Sequence, residues 1–257
     1  VASDCAMPDS PENNFATFSS LVPTNTGTLS EGNLKSNSVV GGSGGKRGPI
    51  SNFYATTGKW FCEGVTTSAG APYWGPALYK NNNSTLFYTH IPTLYTNKFY
   101  LEGSVVQSVS FSNSAITSFA VDLDNQTTDV YVGGSKIGIT VDWSGIDTFE
   151  GVFTGIQHGH SSSLSTSNCT VNYGQDGTFA GTQTAGGNAD ENGYGNFSMA
   201  VPSGYLACCS ANIPEPTIGA NSSSQADDYF ETVLYEGDGS TQDIAVNFKP
   251  DWTWIKN

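Results

Sequence analysis

The chain has 257 residues, 37% of them hydrophobic, and its 30 glycines bring it to the apolar share of a protein that buries a core. Only 12% are charged, and 9 Lys+Arg against 23 Asp+Glu leave a net charge of -14, which repels a phosphate backbone and excludes nucleic acid as a partner. No run of ~20 apolar residues is present, so no segment has the makings of a membrane-spanning helix.

The chain opens on Val1 rather than Met, without a basic and apolar leader, and is expected to be processed or trimmed. "GGSGGKRG" (41–48) resembles a phosphate loop only superficially. Arg47 follows Lys46 where a Ser or Thr is needed, so an exposed loop is expected. "KWFCEGVT" (59–66) is a strand candidate. "APYWGP" (71–76) sets Tyr73 and Trp74 between prolines, where a rigid loop would present an aromatic face to a sugar. For Trp74, core or interface packing is the favoured expectation of the two.

Further strands are expected at "TLFYTH" (85–90) and "GSVVQSVSF" (103–111). In "SFAVDLD" (118–124) Phe119, Val121 and Leu123 alternate with Ala120 and Asp122, the pattern of a strand with one buried face. "TDVYVGGSKIGITVDW" then reads as a hairpin turning at Gly133-Gly134, because such turns need positive φ. Asp122 and Asp124, or Asp142 and Asp147, are the carboxylate pairs to test for glycoside hydrolysis. Carboxylates beside an "LDN" turn more commonly hold backbone amides, so no catalytic residue is assigned.

"EGVFTGIQ" (150–157) and "NCTVNYG" (168–174) complete the run of short strands. His158 and His160 are spaced to reach one metal on a strand, but no third ligand is near in sequence and their Gly/Ser setting predicts a loop. The acidic turns "NADENG" (188–193) and "EGDGST" (236–241) lack the spacing of a calcium loop. No metal ligand and no cofactor is assigned.

In "GYLACC" alternation puts Tyr205, Ala207 and Cys209 on one face and Leu206 and Cys208 on the other. A core strand is therefore expected, and a strained vicinal disulfide disfavoured. With five cysteines, at least one thiol is unpaired within the chain. The Ser/Asn-rich stretch 212–228 is expected to be a linker. Residues 229–257 read as two further strand-like runs ending on Trp252, Trp254 and Ile255. Bulky side chains of that kind need a covering layer, so the polypeptide is expected to continue or this segment to pack on another subunit, with those three residues as the interface.

Many short strands between turns predict an all-β, two-sheet antiparallel sandwich. "LSEGNLKSNS" (29–38), "TTGKWFCEGVT" (56–66), "FAVDLDNQTTDVYVGGSKIG" (119–138), "NYGQDGTFAGTQTAGGNADENGYGNF" (172–197) and "VPSGYLACCSANIPEP" (201–216) resemble, in that order, the SPRY-like, concanavalin-type domains of structural proteins of tailed bacteriophages. The resemblance implies a jelly-roll-like sandwich over 1–211, a linker over 212–228 and the β opening of a second module over 229–257. It further implies a virion protein without enzymatic activity: a tail fibre, appendage or capsid decoration. Such a protein assembles as a homo-oligomer, a trimer being favoured, and contacts other virion proteins. Where it recognises a host, the ligand is a surface glycan or protein; a decoration protein without ligand, or a secreted carbohydrate-binding module or glycosidase, are the alternatives.

Overall fold

The computed structural model describes residues 9–10, 13–21, 27–38, 49–67, 73–82, 85–95, 98–101, 104–110, 112, 114–145, 152–159, 167–214, 223 and 225–256. The loop 41–48, Asp147, His160 and most of the 212–228 stretch lie outside these residues. The chain divides into two compact units, Val1–Asn212 and Ile213–Asn257.

The first unit is all β. Its strands are β1 (Gly27–Ser30), β2 (Lys35–Ser38), β3 (Lys59–Thr67), β4 (Tyr73–Asn82), β5 (Thr85–His90), β6 (Thr93–Tyr95), β7 (Lys98–Leu101), β8 (Ser104–Ser108), β9 (Thr117–Asp122), β10 (Thr127–Val132), β11 (Ser135–Lys136), β12 (Val141–Asp142), β13 (Val152–Gly159), β14 (Ser167–Asn172) and β15 (Leu206–Ala207). One sheet runs β1-β2-β14-β3-β9-β10-β11, with β12 beside β10 and β15 parallel to β3. The other runs β13-β4-β6-β7-β8, with β5 also on β4. Every named pairing except that of β15 is antiparallel.

The sheets are held face to face by one apolar layer. Trp60, Cys62, Phe119, Val121, Cys169 and Val171 enter it from the first sheet; Trp74, Leu78, Leu94, Phe99 and Phe153 enter from the second. Trp74 meets Phe119 edge-on across the layer, ring centroids 5.3 Å apart, and each such fully buried aromatic contributes about 1.5–3 kcal/mol. The alternation in β9 thus leads where its spacing predicts, with Phe119, Val121 and Leu123 inside.

Two sequence expectations are corrected. β9 is buried on both faces, because Ala120 lies in a second apolar cluster with Phe15, Phe61, Phe197, Ala207 and Cys209. That cluster is roofed by chain from 173 to 212, which contains β15 and otherwise almost no regular structure. From Tyr73 on, the "APYWGP" stretch is not a presenting loop but the start of β4, and Trp74 is 1% exposed, in the core as favoured and not available to a ligand. Gly75 is needed there, since a Cβ would fall 2.3 Å from the Pro92 carbonyl oxygen.

The hairpin turns at Gly133 and Gly134, both at positive φ, as expected. Its return strand is split into β11 and β12 around Gly138, where an added Cβ would fall 2.5 Å from Gln107 Oε1 and 3.0 Å from the Phe99 ring.

In the second unit a 3₁₀ turn spans Ala226–Asp228, and no strand occurs among the described residues from 229 to 256. The strand-like runs expected there find no ladder partner among those residues, and an extended segment without one leaves its backbone groups to water. Trp252, Trp254 and Ile255 are exposed, the two indoles 6.4 Å apart.

Candidate functional site

The roof over the first sheet is held by side chains rather than by ladders. β3 sends Trp60 and Cys62 into the main core, Phe61 into the second cluster, and Glu63 onto the same roofed face as Phe61. Glu63 is 0% exposed. It accepts hydrogen bonds from Ser118 Oγ (3.0 Å), Asn172 Nδ2 (3.2 Å), the Ser198 backbone N–H (3.0 Å) and Ser198 Oγ. Burial pushes its carboxyl above the ordinary range, and the Ser198, Ser118 and Asn172 hydrogen bonds pull it partly back.

Asn172 passes the linkage on, its Oδ1 accepting from the Gly174 and Asp176 amides at 2.8 and 3.1 Å. Asp176 accepts from Thr178 N–H and Oγ and from the Ala180 N–H. In "NADENG", Asp190 accepts from the amides of Asn192, Tyr194 and Ala207 and from Asn212 Nδ2 at 2.7–3.0 Å. The acidic turn thereby ties the roof to β15 and to the 3₁₀ turn Ser210–Asn212 that follows it. "EGDGST" is a smaller version, with Asp238 accepting from Ser240.

The carboxylates singled out for hydrolysis do similar work. Asp122 accepts from the amides of Asp124 and Asn125 and from Asn125 Nδ2, and pairs with Lys59 Nζ at 3.1 Å. Burial raises its carboxyl, but the bonds from Asn125 and Lys59 outweigh that and hold it below the usual range. Asp124 accepts from the Gly58 amide, and Asp142 caps Ser144. Asp122 and Asp124 both brace the β9–β10 turn region instead of facing each other across a cleft.

Of the two aromatic ligand candidates, Trp74 is core and unavailable, and Tyr73 opens β4 with its backbone registered to Gly159. His158 lies in β13, not in the loop expected. Cys208 and Cys209 point to opposite sides, the first into the main core and the second into the roofed cluster, with Leu206 and Ala207 on the matching faces. Both are free thiols, as are Cys62 and Cys169, and burial drives all four upward, away from thiolate chemistry.

A feature not singled out from the sequence emerges at the margin of the roof. On the face shared with Phe61, register places Lys59 opposite Asp122, and Asp129 and Tyr131 one strand further over, opposite Ala120 and Ser118. Lys136 Nζ meets Asp129 at 2.8 Å and Thr140 Oγ at 2.7 Å. Tyr205 comes down beside them, its ring centroid 5.8 Å from Lys59 Nζ.

Burial pushes the Tyr205 phenol up to about 12, helped by Asp122, Asp129 and Tyr131; Asp129 also raises Tyr131, which burial raises first. The two half-buried rings and the two ion pairs therefore form one shelf. The signal for it in the sequence was the polar half of the β10 alternation, Asp129 and Tyr131 against Val130. Tyr205, 74 residues on, has no local signal linking it to them.

Among known proteins, a family model described as a domain of unknown function, DUF7483, matches residues 225–257. Comparison with curated proteins finds no match. Among solved structures, the SPRY domain of human HERC1 is similar over 56% of this chain and 91% of its own, at 15% identity and a TM-score of 0.39. The PSpry domain of TRIM65 is similar over 62% and 92%, at 9% identity and a TM-score of 0.43. Stonustoxin is similar over 62% of this chain, which spans 27% of that protein, at 13% identity and a TM-score of 0.41.

Proposed function

We propose that this chain is a non-enzymatic structural protein of a tailed-phage virion, a fibre, appendage or capsid decoration, that acts by assembly and by presenting a surface. The observation that carries the non-enzymatic part is where the acids are. Glu63, Asp122, Asp124, Asp176 and Asp190 each accept hydrogen bonds from the protein's own backbone amides, so these carboxylates serve as fasteners. Support for the virion setting comes from the ordered series of sequence segments from 29 to 216. An exterior covered by hydroxyls, amides and glycine suits display, and the exposed Trp252, Trp254 and Ile255 supply apolar surface for contact with copies of the chain or other virion proteins.

Two measurements test this. Labelled antibody against the purified chain is expected to decorate intact particles; particles without the chain would overturn the assignment. A hydrolysis assay on common polysaccharides is expected to show no turnover, and turnover abolished by Asp122→Asn or Asp124→Asn would make the chain a glycosidase.

A further inference from the structure

We infer that the shelf formed by Lys59, Asp122, Asp129, Tyr131, Lys136 and Tyr205 binds a neutral oligosaccharide. For its biological use the inference rests on the display reading above; the binding itself does not.

Three properties of the shelf select that ligand. Its aromatic surface comes from two phenol rings that are partly buried and so already ordered, which lowers the entropy cost of stacking against the C–H face of a sugar. Its accessible polar groups are the Asp129 carboxylate and the Lys59 and Lys136 ammonium groups, able to accept from and donate to vicinal hydroxyls, while the buried Asp122 holds Lys59 in place. The charges cancel in pairs, Lys59 with Asp122 and Lys136 with Asp129. A neutral ligand keeps both ion pairs, whereas an anion or cation must break one and desolvate what remains. The net charge of -14 further disfavours sialylated or sulfated glycans.

The shelf also has a firm support: beside it Phe61 and Ala120 are sealed under Phe197, Ala207 and Cys209, and Tyr131 and Tyr205 pack against that same cluster.

The test uses the full chain on an array of cello-, malto- and chito-oligosaccharides beside sialylated and sulfated glycans. Binding to a neutral member is expected, with little dependence on salt. Tyr131→Ser and Tyr205→Leu are each expected to weaken it about tenfold. Tyr205→Phe, which keeps the ring, should bind nearly as the parent does, and so should Tyr54→Ser, which removes an exposed tyrosine away from the shelf. If Tyr205→Leu does not fold, Tyr131→Ser and Tyr205→Phe carry the comparison.

Binding that survives Tyr131→Ser unchanged, preference for anionic glycans, or an empty array would each overturn the inference. An empty array leaves particle labelling untouched, and unlabelled particles leave the array result untouched, so the two failures are distinguishable.

Discussion

Glu63 is where the fold is most exposed to a single change. Its carboxylate collects four donors from β9, β14 and the roof, two of them on Ser198, 135 residues away in sequence. Glu63→Gln preserves shape but turns one oxygen into an N–H₂ group. One N–H stands in for the proton of the neutral acid; the other is forced against the Asn172 or Ser198 donors. A buried donor left unpaired costs about 1–3 kcal/mol, so a loss of about 2 kcal/mol is expected in acid. Because burial raises the folded-state pKa of Glu63, its contribution is complete below the unfolded value of about 4.3 and is lost as pH rises through the folded value. The gap between parent and Glu63→Gln should therefore narrow as pH rises from the unfolded value through the raised folded one. Ser198→Ala should show the reverse trend. It removes a donor that the ionised carboxylate needs most, and a hydrogen bond to a charged group is worth about 1.5–3 kcal/mol. Urea unfolding across that range, with hydrogen exchange at the Ser198 amide, measures both. A Glu63→Gln gap that widens with pH, or losses in both variants below about 0.5 kcal/mol, would refute the idea that this carboxylate fastens the roof.

Other outcomes follow from the same structure. Gly155→Ala should lower the melting temperature, since φ is +75° there and a Cβ would lie 2.7 Å from Tyr173 Cε1 and 2.8 Å from Ser51 Oγ; calorimetry reads the shift. Asp190→Ala should cost about 2–4 kcal/mol by denaturant titration, because the amides of Asn192, Tyr194 and Ala207 lose their acceptor together. In a Cys5→Ser background, the native protein should react with no thiol reagent until it unfolds, because Cys62, Cys169, Cys208 and Cys209 are all buried. Rapid labelling of Cys208 or Cys209 would contradict their placement in the two cores.

What the sequence made legible was whatever depends on neighbours two residues apart. β3, β5, β9 and the Gly133-Gly134 turn follow from alternation and from the φ a tight turn needs. The opposite orientation of Cys208 and Cys209 follows in the same way, although only Leu206 and Ala207 of that run form a ladder. The roof was not legible, because its order comes from contacts such as Glu63 to Ser198 and Asp190 to Ala207, between residues that no local period connects. The shelf was missed for the same reason, since Tyr205 reaches Lys59 only once the roof is in place. The prolines around Tyr73 and Trp74 read as a loop, whereas the favoured reading of Trp74 as core is where the structure puts it. Gly75 and Pro76 are instead accommodated within β4, with the Pro76 carbonyl accepting from the Ile91 amide.

The low charge, the high Gly and Asn content and the excess of acids over bases take on a common physical meaning once the roof is seen. A sheet face as apolar as Phe61 and Ala120 must be covered, and covering it with another sheet would create new open edges, which invite pairing with other chains. Irregular chain avoids that, but only if its amides find acceptors elsewhere. Short carboxylates and amides supply them, each binding several N–H groups within one turn, as Asp176 and Asp190 do. Close approach then demands glycine: a Cβ on Gly174 would sit 2.3 Å from the Phe15 ring, and one on Gly186 2.3 Å from the Ser198 carbonyl. Part of the acid excess that reads in the sequence as a repulsive surface is thus engaged inward, holding a cover with few edges over the sheet that bears the shelf.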